Sequence, residues 1–425
     1  MDPISARLLA RHPQKIDLSL DRMRTLCAVL GDPQHRLPPV VHVAGTNGKG
    51  STIAFLRAMA EAAGLKVHVY TSPHLVRFNE RIRLAGALIE DAPLNAILDR
   101  IEAIRGVETT VFESTTAAAF VAMAETPADL AIIEVGLGGR LDATNVIERP
   151  LLSLIAPVDL DHAEFLGTSL PGIAAEKAGI LKAGARGIVA RQAEAAMARI
   201  EAVAGRATTP LTVMGVDFDA WAERDGMVFQ DPERFLDLPR PALAGRHQID
   251  NAGLAVAAAL ELDLPEDAIA TGLTTARWPA RMQRLTAGPY GEMARAAEAE
   301  LWLDGGHNPH AARALADVIA ERQAKGPRPL ALIVGMLANK DAGGFFEALK
   351  GSEAHVFTVG FDGAAADPAA LAAVARGHGL GAQASSSVEA ALSRALRLGA
   401  GRVVICGSLY LAGEVLGASR ETWPE

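Results

Sequence analysis

Cysteine is nearly absent: Cys27 and Cys406 are the only two in 425 residues, and they lie far apart in the sequence. Such a pair makes neither a disulfide framework nor a metal cluster, and buried thiols in a reducing compartment are expected. No apolar run approaches the roughly 20 residues needed to span a bilayer. The N-terminal MDPISARLLARHPQ lacks the apolar core of a signal peptide. A soluble, cytoplasmic protein is therefore expected. No basic block occurs and the formal net charge is −9, which argues against nucleic acid as a main partner. There is no internal repeat at the period of about 20–50 residues that marks solenoids, and no low-complexity segment beyond alanine enrichment. What remains is an ordinary globular composition, half hydrophobic and 21% charged. The chain is too long for one compact core, so two domains are expected.

One stretch organises the chain. Val40-Val41-His42-Val43 reads as a buried β-branched strand and runs into Gly45-Thr46-Asn47-Gly48-Lys49-Gly50-Ser51-Thr52. A helix-forming segment follows, with Gly64 where a helix should close. Strand, glycine loop, lysine, hydroxyl residue and helix together form a phosphate cradle. Backbone N–H groups point inward without Cβ obstruction, and the helix N-terminus adds positive potential. Lys49 would reach the β- and γ-phosphates, and Ser51 or Thr52 could hold Mg²⁺. A strict phosphate loop has its first glycine earlier, where the nearest candidates here are Val43 or Ala44, so GTNGKGS is a shortened variant. This is a nucleoside triphosphate site.

Around it the chain alternates strands and helices, which predicts a largely parallel sheet to about residue 200. A helix is expected over Leu18–Leu30, capped by Asp17 or Ser19. The strand Lys66–Tyr70 runs into TSPHL and FNERIR, a polar loop at a strand C-terminus, where open α/β sheets place ligands. His74 and Arg81 belong to that loop. Phe112-Glu113-Ser114-Thr115-Thr116 opens an alanine-rich helix, with Ser114 or Thr115 as its cap. Glu134 sits inside the buried strand Leu130–Val135, where an unpaired carboxylate is costly. A structural ion pair and a metal ligand both fit it, and the glycine-rich GLGGRLDATN that follows favours a site. His162 ends a further strand segment, where a simple hydrogen-bonding role and, beside a nucleotide, a place in the Mg²⁺ shell both fit it. Lys177, taken alone, reads as a surface lysine at a helix end. A small β excursion is expected over 208–238 and a hinge near Trp278–Pro289. The remainder alternates again as a smaller Rossmann-like domain without a GxGxxG fingerprint.

Ten segments occur in order: GTNGKGS, TSPHL with FNERIR, FESTT, IIEVGLGGRLDATN, LDHAEFLG, EKAGILK, GRHQIDNA, RWPARM, LDGGHNP and GSLYLAGE. This series resembles the folylpolyglutamate synthases and dihydrofolate synthases of the Mur ligase superfamily, and it covers nearly the whole chain. The resemblance implies an α/β protein. A P-loop domain of the Mur ligase central type with a mostly parallel sheet, residues 1–283, would precede a smaller C-terminal Rossmann-like domain, residues 284–425. It also implies an ATP-dependent ligase that adds L-glutamate to dihydropteroate and to reduced folates through an acyl phosphate, acting as a monomer.

Carried over by motif, Gly45, Thr46, Asn47, Gly48, Lys49, Gly50 and Ser51 would hold the triphosphate. Asn251, Arg281 and Asp304 would contact the nucleotide from both domains. Ser72, Glu134 and His162 match the family's Mg²⁺ ligands, at one or two sites. Lys177 matches a lysine that is carbamylated in the family, which reverses its surface reading. Lys49, His162 and Lys177 would be catalytic. Phe112, Glu113, Leu141, Asp142 and Ala143 would line the pterin site, and His307 the glutamate side. The sequence departs from the pattern at Ala280, where glycine is usual, at Gly306, where alanine is frequent, and at LANKD over 337–341. A peptidoglycan Mur ligase would carry a substrate domain ahead of the loop, for which the residues before Gly45 are too few. A GTP-hydrolysing switch would show an NKxD element, and Asn339-Lys340-Asp341 lacks its spacing.

Overall fold

A computed structural model describes residues 2–11 and 19–425; the expected cap Asp17 and the helix start at Leu18 lie outside the described residues. The chain divides into two compact units, Met1–Ala242 with Gln248–Arg277, and Leu243–His247 with Trp278–Glu425. The division thus falls at Arg277/Trp278, a few residues ahead of 283/284, and the short segment before the helix His247–Glu261 goes with the second unit.

The first unit is built on one sheet. Its strands are β1 (Val40–Ala44), β2 (Val67–Tyr70), β3 (Ile82–Leu84), β4 (Ala87–Leu88), β5 (Leu130–Glu134), β6 (Leu152–Ile155), β7 (Arg186–Val189) and β8 (Leu211–Val213), in the order β4-β3-β2-β5-β1-β6-β7-β8. All pairings from β2 to β8 along this order are parallel, and β3 and β4 add an antiparallel edge. β1, β5 and β6 are buried along their whole length, as strands of valine, isoleucine and leucine covered on both faces should be. The excursion is β9 (Asp219–Glu223), β10 (Gly226–Gln230) and β11 (Phe235–Pro239), a separate antiparallel sheet.

The first expected helix is shorter, Asp21–Val29, with Leu20 at its cap and Ser19 Oγ accepting from Asp21 N at 3.3 Å. The alanine-rich helix is Val111–Glu125, and its cap is Thr110 rather than Ser114 or Thr115. Thr110 Oγ1 accepts from Glu113 N at 3.1 Å, and the Glu113 carboxylate accepts from Thr110 N at 2.7 Å. The T-x-x-E spacing satisfies two helix-end donors reciprocally. Thr115 and Thr116, one turn in, donate back to the carbonyls of Val111 and Phe112.

The helix Lys49–Ala62 leaves the phosphate loop and packs on the helix Glu266–Thr275. They meet at Gly272, where an added Cβ would lie 2.4 Å from Met59 N and 2.5 Å from Met59 Cα. Backbone cannot yield as a side chain does, so Gly272→Ala is expected to cost about 1–3 kcal/mol. Thermal unfolding would register this as a lower midpoint; an unchanged midpoint would mean that the helices separate freely.

The second unit has one six-stranded sheet. Its strands are β12 (Gln283–Arg284), β13 (Glu300–Leu303), β14 (Leu330–Val334), β15 (His355–Thr358), β16 (Gly381–Ala384) and β17 (Arg402–Cys406), in the order β12-β13-β17-β14-β15-β16. Only β12 runs antiparallel to its neighbour. The helix Pro309–Lys325 starts at a proline and is capped by Asn308, whose Oδ1 accepts from Ala311 N at 2.9 Å. Among the described residues no helix is long and apolar enough to cross a membrane.

Candidate functional site

β1 ends at Ala44, and the chain turns through Gly45 and Gly48 with φ of 151° and 87°. A Cβ at Gly45 would lie 2.7 Å from Ala156 Cβ, and one at Gly48 would lie 2.3 Å from Asn251 Oδ1. Only glycine lets the backbone close in at these two positions. Gly48 caps the helix Lys49–Ala62, whose first N–H groups have no intrahelical partner and favour an anion. Thr46 N and Asn47 N donate instead to Pro157 O, at 2.9 and 3.3 Å. Thr46 Oγ1 exchanges bonds with the Asp159 backbone at 2.9 and 3.1 Å. The first half of the loop therefore ties the end of β1 to the segment after the neighbouring β6, and the stretch Gly48–Ser51 is the part suited to receive an anion. Next to it the buried Thr52 Oγ1 has no hydrogen-bond partner. A glycine cradle and an orphaned hydroxyl fit a bound phosphate chain.

Two lysines converge on one carbonyl. Lys49 Nζ donates to Gly45 O at 3.1 Å and stands 3.7 Å from Glu134 Oε1. Lys177 Nζ donates to the same oxygen at 3.0 Å. Lys177 does sit in the last turn of a helix, Leu170–Ala178, but it is only 5% exposed, so the surface reading fails. The glycine-rich loop after β5 lets that helix in. A Cβ at Gly139 would lie 2.7 Å from Glu176 O, and one at Gly179 would lie 2.4 Å from Arg140 Cβ. Burial first, and then the Lys49 charge, push the Lys177 amine down to about 7, against the pull of Asp161 and Asp142.

Glu134 closes β5, in register with Val43 of β1, and its Oε2 accepts from Ser72 N at 3.2 Å. The structure thus brings Ser72 and Glu134 together. His162 lies on the segment after β6 with a left-handed φ of 52°, its N–H donating to Asp161 Oδ1 at 2.8 Å and its ring half-exposed. Among the described residues no three of His, Cys, Asp or Glu are grouped to hold a metal. The expected trio contains only two of those types, completed by the serine hydroxyl. A hydroxyl and a carboxylate at adjacent strand ends, beside a phosphate cradle, suit a hard divalent cation. His74 and Arg81 pair with each other, Arg81 Nε donating to His74 Nδ1 at 2.8 Å; burial and Arg81 push the His74 ring down to about 4.

Two residues carried over to the pterin site have structural work to do. The Glu113 carboxylate takes the Arg22 guanidinium at 3.0 and 3.3 Å, besides its bond from Thr110 N. Asp142 accepts from Leu137 N at 2.8 Å, Thr144 N at 3.0 Å and Thr144 Oγ1 at 2.6 Å. Burial holds its carboxyl above the ordinary value in spite of these bonds. Phe112, Leu141 and Ala143 belong to one apolar cluster. The Phe112 ring covers Gly136, where a Cβ would lie 2.3 Å from it, and stands 6.2 Å from Tyr70.

In the second unit, Asp304 follows β13 and accepts from Met282 N at 2.9 Å and Gly306 N at 2.8 Å. Arg281 Nη1 donates to Ala280 O at 2.9 Å, and His307 Nδ1 lies 3.0 Å from Gly305 O. Gly305 N in turn donates to Ala280 O at 2.8 Å, so the two loops are joined. Ala280 has a left-handed φ of 53°, which explains why glycine suits that position and what alanine costs there, of order 1 kcal/mol. Burial lowers the pKa of His247, which feels the charges of Asp304 and Arg281. In the first unit, Asn251 Nδ2 donates to Gln248 Oε1 at 3.0 Å. The sequence did not single out Arg22, Pro157 or His247. Pro157 acts through a carbonyl that no side chain announces, whereas His247 lay in plain view within GRHQIDNA.

Residues 43–259 match the Mur ligase middle domain and residues 281–409 the Mur ligase glutamate ligase domain. A dihydrofolate synthase/folylpolyglutamate synthase of Bacillus subtilis is 36% identical over 322 residues, 71% of this chain and 72% of that protein. A probable bifunctional folylpolyglutamate synthase/dihydropteroate synthase of Halobacterium salinarum is 34% identical over 92% of this chain, which spans only 48% of that longer protein. Escherichia coli FolC in complex with DHPP and ADP superposes with a TM-score of 0.86 at 32% identity, covering 96% of this chain and 95% of that one. A bifunctional folylpolyglutamate synthase/dihydrofolate synthase with Mn, AMPPNP and L-glutamate bound gives a TM-score of 0.85 at 33% identity over 98% of both chains. The chain belongs to the Mur ligase family, among its dihydrofolate and folylpolyglutamate synthases.

Proposed function

We propose that this chain is a bifunctional ATP-dependent ligase that joins L-glutamate to 7,8-dihydropteroate and to reduced folates. The observation that carries the reading is the convergence of Lys49 and Lys177 on Gly45 O beside Glu134, at the mouth of a glycine cradle. The reaction brings a carboxylate to a triphosphate, two anions that repel. Attack of the acceptor carboxylate on the γ-phosphorus forms an acyl phosphate and releases ADP. The glutamate amine then attacks the acyl carbon, forming the amide and releasing phosphate and a proton. Lys49, a point charge at a helix N-terminus, neutralises the transferring phosphoryl group. Ser72 and Glu134, with His162, would hold a divalent cation, which supplies further neutralisation when bound.

Lys177 has a second role. An amine whose pKa lies near 7 is largely neutral in mildly alkaline solution, and a neutral amine adds to CO₂. The carbamate that forms releases a proton and turns a cation into a carboxylate-like group beside Lys49. Asn251, Arg281 and Asp304 take nucleotide contacts, His307 the glutamate side, and Phe112, Leu141 and Ala143 the pterin. Glu113 and Asp142 shape that wall with carboxylates already bonded within the protein.

The test is phosphate release from Mg-ATP with L-glutamate, with 7,8-dihydropteroate or tetrahydrofolate as acceptor, and mass spectrometry of the product. Both acceptors are expected to gain one glutamyl unit. Turnover with one alone would restrict the enzyme to that step, and phosphate release indifferent to acceptor and glutamate would sink the ligase reading.

A further inference from the structure

We infer that Glu80 is the positioning residue of the metal site, holding the loop after β2 so that Ser72 stands beside Glu134. The inference rests on the assignment of Ser72 and Glu134 to the metal in the proposed function.

β2 and β3 pair antiparallel, with Tyr70 opposite Ile82, and Thr71 N donates to Arg81 O at 3.0 Å to close the base of the connecting loop. Inside that closure four backbone donors, those of Ser72, Leu75, Val76 and Arg77, run to side-chain carboxylates. Leu75 N donates to Glu80 Oε2 at 2.7 Å, Val76 N to Glu80 Oε1 at 2.9 Å and Arg77 N to the same oxygen at 2.6 Å. Ser72 N donates to Glu134 Oε2 at 3.2 Å, and residue 73 is proline, which has no N–H. Two carboxylates therefore gather this backbone, and they differ in what a cation does to them. A cation held by Glu134 would compete for its oxygens with Ser72 N. Glu80 accepts three backbone bonds of the charge-assisted kind and would keep the loop in place with Glu134 committed to a metal. The division of labour resembles the outer-shell support found around metal ligands generally.

Glutamine at position 80 has nearly the shape of glutamate but carries an NH₂ where one N–H donor needs an acceptor, so it cannot reproduce all three bonds. In the full-length enzyme, Glu80→Gln is expected to raise the Mg²⁺ concentration giving half-maximal phosphate release by about tenfold or more. Turnover at saturating Mg²⁺ should stay within about threefold of the unsubstituted protein, because no group touching the substrates has changed. Glu80→Asp keeps a carboxylate and should recover part of the Mg²⁺ affinity. Mn²⁺ binding in the presence of AMPPNP, read by electron paramagnetic resonance, gives the same comparison without turnover.

Ser72→Ala and Glu134→Gln belong in the same titration. If both shift the Mg²⁺ dependence and Glu80→Gln does not, Glu80 is a plain loop brace and the inference is overturned. Loss of turnover at saturating Mg²⁺ with an unchanged half-maximal concentration overturns it equally. If Ser72→Ala and Glu134→Gln leave the Mg²⁺ dependence untouched, the metal assignment has failed and the role of Glu80 falls with it.

Discussion

Lys49→Ala is expected to lower kcat/KM for glutamate ligation by about a thousandfold, close to 4 kcal/mol of transition-state stabilisation, while the protein stays folded. Two losses combine. The first is the ammonium facing the cradle, which nothing else in the glycine loop replaces. The second runs through Lys177. After burial, the Lys49 charge is what depresses the Lys177 amine, and removing it lets that amine move back toward its ordinary, protonated state and resist carbamylation. Lys49→Arg keeps the charge but spreads it over a planar fork unsuited to one carbonyl at 3.1 Å, so only partial recovery is expected. Steady-state phosphate release together with circular dichroism checks both points. A Lys49→Ala enzyme within tenfold of the parent would remove the lysine from the mechanism.

Activity is also expected to rise with pH through about 7, as Lys177 gives up its proton. The sign follows from burial and the Lys49 charge, both of which disfavour the ammonium. In CO₂-depleted buffer, added bicarbonate should restore activity at mildly alkaline pH and do little at mildly acidic pH, where the amine is protonated. Isotopically labelled bicarbonate should leave a carbamate resonance that Lys177→Met abolishes, and this variant should lose about a hundredfold or more in turnover.

Stability should move in the same direction. In the unfolded chain Lys177 has its ordinary pKa of 10.5, so between about 7 and that value the unfolded state binds more protons and folding gains as pH rises. Below about 7 a buried ammonium must be carried in full. Lys177→Met is therefore expected to raise the thermal midpoint in acid while abolishing most activity. A variant that is both active and insensitive to bicarbonate would end the carbamate reading.

These two lysines also mark where sequence and tertiary structure part company. The role of Lys49 is legible because every ingredient is local: the strand Val40–Ala44, glycines that free the backbone, and a helix starting at the lysine itself. Glu134 is legible because a carboxylate ending a run of buried apolar residues needs a partner wherever the strand lies. The parallel sheet follows from the alternation of apolar strands and helices, and the cap at Thr110 could have been read from T-x-x-E.

Lys177 carries no such mark in its own segment. It becomes a buried, weakly basic amine only because Gly139 and Gly179 let distant pieces of chain touch. Glu113 and Asp142 look like ligand groups in the sequence, but Arg22, Leu137 and Thr144 decide that their oxygens are engaged. Ala280 reads as a minor departure until its φ of 53° shows the backbone that glycine would have eased. By itself the sequence determined the sheet, the phosphate loop and the nucleoside triphosphate it suits, since these depend on bonds and periodicities within a few residues. Tertiary structure alone decided which charged groups are buried and which carboxylates remain for a ligand, because desolvation and pairing depend on neighbours brought together only by folding.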